Sequence, residues 1–194
     1  MYHNYYKKMK KEIIPSLLLT IVCILFFSGI YTVIIWGIAQ AAPGKGEGFI
    51  ISANGKKYYE NIGQKFTDDK YFWPRPSAVD YNAMGSGGSN KGTNNPGYLA
   101  DVQKRIDTFL AHDPGIKKCA VPADLVTASG SGLDPDISIQ GAEVQVKRIA
   151  SVRHIPEGRV EQLVNGHIEK PLLGIFGPER INVLKLNIDL DNLK

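Results

Sequence analysis

Hydroxyl, amide and glycine residues are concentrated in two short stretches of this chain, and chemistry is expected there first. Gly85 to Thr93 reads GSGGSNKGT, a composition suited to cradling a phosphate with backbone amides. A phosphate loop, however, needs Gly before its Lys and Ser or Thr after it, whereas Asn90 and Gly92 flank Lys91. The dinucleotide fingerprint fails too, because Asn90 stands at its third Gly. The second stretch holds Ser129, Gly130, Ser131 and Gly132, and with His154 and Asp134 it contains the residue types of a hydrolase triad. The nucleophile-elbow spacing Gly-x-Ser-x-Gly is absent, so a tight turn whose hydroxyls satisfy backbone groups is the simpler expectation. Asp124, Asp134 and Asp136 could gather a cation, but Pro135 interrupts any loop-ligand pattern. His112 and His167 fall at helix ends, where imidazoles complement the helix dipole.

Trp73-Pro74-Arg75-Pro76 offers recognition rather than reaction. Two prolines hold Arg75 on a stiff, extended segment beside Trp73, presenting a guanidinium at little entropic cost. Such a group suits a partner protein or an internal carboxylate equally well.

These residues must be positioned by the elements around them. Phe49 to Tyr59 places apolar residues and a Tyr pair about Asn54-Gly55, the commonest dipeptide of a two-residue hairpin. Lys70 to Pro96 sustains no periodicity, and Phe72, Trp73 and Tyr81 are expected to anchor it. An amphipathic helix follows, with Leu99, Val102, Ile106, Phe109 and Leu110 on one face and Asp113-Pro114-Gly115 ending it. Ala120 to Ile137 is a short apolar element and a Gly/Ser turn. It leads to a helix capped by Ser138 that runs to about Arg153 with Ala142, Val146, Ile149 and Ala150 inward. Pro156 opens another helix that buries Val160, Leu163, Val164 and Ile168. Arg180 to Leu190 reads as a mostly buried strand with a bulge at Val183-Leu184. The expected class is α+β, one domain spanning 43–194.

No charged residue lies between Glu12 and Lys45, and the run from Leu17 to Ala39 exceeds the roughly 20 helical residues that cross a bilayer core. The segment 13–42 is therefore expected to span a membrane, with Pro15 at its start and Ser16, Thr20, Ser28 and Thr32 as its short polar residues. Tyr31 and Trp36 lie toward the far interface. Lys7, Lys8, Lys10 and Lys11 precede the span and only Lys45 closely follows it. This asymmetry predicts a cytoplasmic N-terminus, residues 1–12, and an extracytoplasmic remainder. Ala39-Gln40-Ala41 resembles a signal cleavage site, but the apolar run is longer than a signal h-region.

The formal charge of +4 resides mostly before the span, leaving a nearly neutral domain unsuited to nucleic acid. Cys23 and Cys119 fall on different sides of the span boundary and form no disulfide framework or metal set.

The chain resembles the KdpC family, the C subunits of bacterial potassium-importing P-type ATPases. The resemblance is carried by Phe72 to Ala78 (FWPRPSA), Tyr81-Asn82, Ser86 to Asn90 (SGGSN), Val121 to Pro135 (VPADLVTASGSGLDP) and Arg180 to Leu184 (RINVL), in order behind one anchor. It departs from the family pattern at Thr93-Asn94, where Pro-Ser is common, and at Asp136, where His is usual. The resemblance implies a non-catalytic accessory subunit in the bacterial plasma membrane. Its implied partners are the channel-like subunit that translocates potassium, the P-type ATPase subunit that hydrolyses ATP, and a very small membrane peptide. It implies no stably bound cofactor, potassium as the ion carried by the complex, and ATP acting through the ATPase subunit.

The family is often described as a catalytic chaperone that raises ATP affinity, which would assign nucleotide contact to Ser129, Gly130, Ser131 and Gly132. A domain outside the membrane conflicts with that role. The topology favours assembly, stabilisation and capping of the side from which potassium is taken up, with Trp73, Arg75, Ser86 and Asn90 as partner-binding candidates. The alternative of a different class is an anchored extracytoplasmic serine hydrolase using Ser131, His154 and Asp134.

Overall fold

The computed structural model describes residues 2–193, with side chains from residue 11 onward. The side chains of Lys7, Lys8 and Lys10, on which the orientation expectation rests, lie outside the described set. The chain divides into two compact units, one ending at Ile50 and the other beginning at Ile51.

The first unit is a continuous helical rod made of α1 (Tyr2–Ile24), a π-helical turn (Leu25–Tyr31) and α2 (Thr32–Ala41). Its stretch Lys11–Ala41 is long and apolar enough to cross a membrane. Thirty-one residues at 1.5 Å each give about 46 Å, more than the hydrocarbon core requires. Pro15 lies inside α1 rather than at its start, because the helix begins well before it. The hydroxyls fold back as a lipid environment demands: Ser16 Oγ donates to the Glu12 carbonyl at 2.7 Å and Thr20 Oγ1 to that of Ser16 at 2.9 Å. Thr32 Oγ1 donates to the Phe27 carbonyl at 3.0 Å, five residues back, across the widened π turn.

The second unit is α+β. Strands β1 (Ile50–Ala53) and β2 (Lys56–Tyr59) form the expected hairpin, with Asn54 (φ 50°) and Gly55 (φ 75°) taking the left-handed pair that a type I′ turn requires. Helix α3 (Pro96–His112) starts where Asn95 accepts a hydrogen bond from the Tyr98 amide, with Pro96 in the first turn. Only Phe109 of its apolar face is fully buried. Leu99 is exposed, because the face extends one turn past what it covers.

Beyond α3 the chain takes two 3₁₀ turns (Lys118–Ala120 and Ala123–Leu125) and strand β3 (Asp136–Ile137). Ser138 caps the next helix as expected, accepting from the Gly141 amide at 2.9 Å. The helix breaks at Val144–Gln145 into α4 (Ile139–Glu143) and α5 (Val146–Arg153). Helix α6 (Glu157–Gly166) follows Pro156 and buries Val160 and Val164.

The strand expected over 180–190 is mostly a helix. Strand β4 covers only Ile181–Asn182, antiparallel to β3 with Ile137 opposite Ile181, and helix α7 (Val183–Asn192) begins at once. Val183, Leu186, Asn187 and Leu190 are buried at helical spacing, and Asn182 caps the helix by accepting from the Lys185 amide at 3.1 Å. The core unites Phe72, Phe109, Ile137, Ile149, Val160, Val164, Ile181, Leu186 and Leu190.

Candidate functional site

The segments carrying chemistry-like residues converge on one region, built around an extended strap over residues 69–76. No strand pairs with this strap among the described residues; side chains satisfy its backbone instead. Asn187 of α7 accepts from the Phe72 amide at 2.9 Å and donates to the Phe72 carbonyl at 3.0 Å. Gln145 does the same for Trp73, at 2.8 and 3.3 Å, and its Oε1 also accepts from Arg148 Nη2 at 2.6 Å. Arg148 donates further to the Asp69 and Tyr71 carbonyls. Its Nε meets Asp113 at 2.9 Å, with both side chains 3% exposed, and its guanidinium lies 4.7 Å from the centre of the Trp73 ring. Burial pushes the Asp113 carboxyl above its usual range, and the neighbouring Arg148 only partly offsets this.

Sequence reasoning anticipated the anchored aromatics but missed this clamp. The available signal was polar Arg148 and Asn187 in phase with buried positions of α5 and α7, with Gln145 just before α5.

The Gly/Ser stretch folds against the strap's continuation. Ser77 Oγ donates to the Gly132 carbonyl at 2.7 Å and accepts from the Val79 and Tyr81 amides at 3.1 and 2.9 Å. The Ser129 amide donates to the Pro76 carbonyl at 3.0 Å, the Gly63 amide to Leu133 at 2.7 Å, and the Gly87 amide to Ser131 at 2.8 Å. Gly132, at φ 69°, has no space for a Cβ, which would fall 2.6 Å from Val79 Cγ2 and 2.8 Å from the Gly87 carbonyl oxygen.

The singled-out hydroxyls each hydrogen-bond backbone groups of these loops. Ser129 is buried and its Oγ accepts from the Gly132 amide at 2.9 Å; Ser131 Oγ accepts from the Leu133 amide at 3.1 Å. Gly130 is exposed at the turn, its carbonyl lying against Gly88. Ser86 Oγ donates to the Ser131 carbonyl at 2.9 Å, and Asn90 is exposed at φ 53°.

Arg75 finds its counter-charge within the chain. Its Nη1 donates to Asp134 Oδ2 at 2.7 Å, both side chains being about a quarter exposed, while Arg75 Nε is buried with no hydrogen-bond partner among the described residues. Tyr81 closes the same turn by donating its hydroxyl to the Arg75 carbonyl at 2.5 Å. Burial, with Asp80 adding to it, pushes the phenol up to about 12. A groove of about 570 Å³ runs alongside, lined in part by Trp73, Pro74, Tyr81, Arg105, Phe109 and Leu125.

The Ser131–His154–Asp134 triad is not assembled. Asp134 faces Arg75, His154 ends α5 in a left-handed conformation, and no hydrogen bond joins either to Ser131 among the described residues. Nor do Asp124, Asp134 and Asp136 form a metal set. Asp124 accepts from the Ser138 amide at 2.7 Å, Asp136 lies 3.2 Å from Arg180, and no group of metal-ligating side chains occurs among the described residues. Burial pushes the Asp136 carboxyl up, with Arg180 opposing. The helix-end imidazoles do more than face a dipole. His112 Nδ1 lies 2.7 Å from Asp69, and His167 lies 2.8 Å from the Leu163 carbonyl and 2.9 Å from Asp189.

Known proteins resemble this chain along nearly its whole length. The family profile described as KdpC, K+-transporting ATPase, c chain, matches residues 13–192. The potassium-transporting ATPase KdpC subunit of Flavobacterium psychrophilum is 57% identical over 185 residues, covering 95% of this chain and all of that protein. That of Flavobacterium johnsoniae is 55% identical over equal coverage, and that of Bacteroides fragilis 51% identical over 188 residues, 95% of this chain and 98% of its own. Matched nearly end to end at more than half identity, the chain belongs to the KdpC family of potassium-transporting ATPase c chains.

Proposed function

We propose that this chain is a single-span, non-catalytic accessory subunit of an ATP-driven potassium-uptake complex in the bacterial plasma membrane. Its N-terminus is cytoplasmic and its folded domain extracytoplasmic. The domain supplies binding surface rather than chemistry. It assembles and stabilises the channel-like and ATPase subunits, together with the small membrane peptide, and caps the side from which potassium is taken up. ATP acts through the ATPase subunit, while residues 129–132 of this chain serve as architecture.

One observation carries this reading beyond family membership. The hydroxyls of the Gly/Ser loops are already engaged by backbone: Ser77, Ser86, Ser129 and Ser131 all bond backbone groups of the two loops they join. A catalytic or phosphate-binding loop would hold such groups toward a ligand. Affinity purification of the full-length tagged chain from native membranes tests the proposal. The channel-like and ATPase subunits should co-elute in fixed proportion; recovery of the chain without either overturns it.

A further inference from the structure

Residues 169–180 leave the packed domain as a narrow hairpin. Glu169 and Arg180 exchange both backbone hydrogen bonds at its base, at 2.8 and 3.1 Å. Leu172 pairs with Phe176 farther out, and the chain reverses through Leu173 (φ 55°) and Gly174 (φ 76°). At the tip Leu172, Leu173, Ile175 and Phe176 are 71, 81, 75 and 61% exposed. Four large apolar side chains exposed within five residues are a concentration of apolar surface of the kind that marks an interaction site.

Leu173 sharpens the point. A turn residue with positive φ is ordinarily Asn, Asp or Gly, and a leucine there is strained. Leu173 thus takes a backbone conformation that costs a leucine, while at 81% exposure its side chain contributes little to the domain core.

We propose that this hairpin is a docking finger whose apolar tip inserts into an apolar groove on a neighbouring protein of the potassium-transporting ATPase complex. The inference rests on the accessory-subunit reading above and assigns that reading a contact surface. The collar favours protein over lipid. Glu169, Lys170, Glu179 and Arg180 flank the tip with two charges of each sign, and Arg180 also bridges Glu169 and Asp136, both at 3.2 Å. A loop seated in a bilayer favours a cationic collar, since anionic headgroups attract Lys and Arg and repel carboxylates. A neutral polar rim around an apolar centre is the anatomy of a protein interface.

The test places a photoreactive benzoylphenylalanine at Leu173 of the full-length chain in native membranes. Crosslinking to the channel-like or the ATPase subunit is expected. Crosslinking only to lipid, only to a second copy of this chain, or to nothing overturns the finger. In parallel, Leu173→Asn keeps the left-handed turn and removes the apolar side chain. It should leave the melting temperature unchanged or raised, yet reduce recovery of the two large partner proteins by about tenfold, as loss of a central apolar anchor does. Equal recovery by the variant and the wild type overturns the finger alone. Failure of the wild type itself to recover either partner overturns the accessory-subunit reading, and the finger with it.

Discussion

Ser129 and Ser131 sit two positions apart in one loop and make different demands on a substitution. Ser129 Oγ serves a buried amide, so Ser129→Ala leaves the Gly132 N–H without an acceptor and should cost about 1–3 kcal/mol. Ser131 is exposed, water can replace its hydroxyl at the Leu133 amide, and Ser131→Ala should cost under about 1 kcal/mol. Urea denaturation of the two variants measures the contrast. Saturable ATP binding to the wild type that Ser131→Ala alone abolishes would instead make this loop a nucleotide site. A pH dependence belongs to the same scale. Burial raises the folded-state pKa of Asp113, so the folded chain retains this proton to higher pH than the unfolded chain. The contribution of Asp113 is therefore largest at low pH and declines as pH rises from the ordinary carboxylate value through the raised one. Asp113→Asn does not titrate, so the stability difference should move against the wild type across that window and then level off. A difference that stays flat from low pH to neutrality would contradict it.

Among the elements, those specified by local chemistry were legible and those specified by distant partners were not. Asn54-Gly55 dictates its hairpin, and Ser138 its helix start, because the determining residues adjoin the element. Val183-Leu184 reads equally well in a bulged strand and in a helix. What decides for the helix is Asn182, which caps α7, and the depth of Asn187, which only the tertiary structure reveals. The candidate site divides the same way. Its motif residues were visible, but the burial of Ser129, and the pairing of Arg75 with Asp134, depend on loops many residues away. The clamp on the strap gives an element-level prediction. Asn187→Leu retains the helix and the branched side-chain skeleton but strips two hydrogen bonds from the Phe72 backbone and adds bulk at a buried position, and should destabilise the domain by about 2–4 kcal/mol in urea denaturation. A loss below about 1 kcal/mol would mean the strap is held without it.

At the scale of the whole molecule, one apolar rod and one α+β unit raise the question of sides. The native thiol of Cys119 is exposed and belongs to the folded unit, which makes it a direct reporter. In right-side-out membrane vesicles a membrane-impermeant maleimide should label Cys119, or a cysteine placed at the hairpin tip by Asn54→Cys, without permeabilisation. Labelling of both only after permeabilisation would put the domain in the cytoplasm.

The strap also determines when this domain can fold. Phe72 finds its hydrogen-bonding partner 115 residues later at Asn187, and Trp73 finds Gln145 after 72. At ribosomal speeds of about 5–20 residues per second, the Phe72 backbone waits roughly 6–23 s after its synthesis for the side chain that satisfies it. The strap is thus closed by α7, so the contacts that fix Phe72 are the last that synthesis can supply, and the domain has a high share of long-range closure to complete after its final helix emerges.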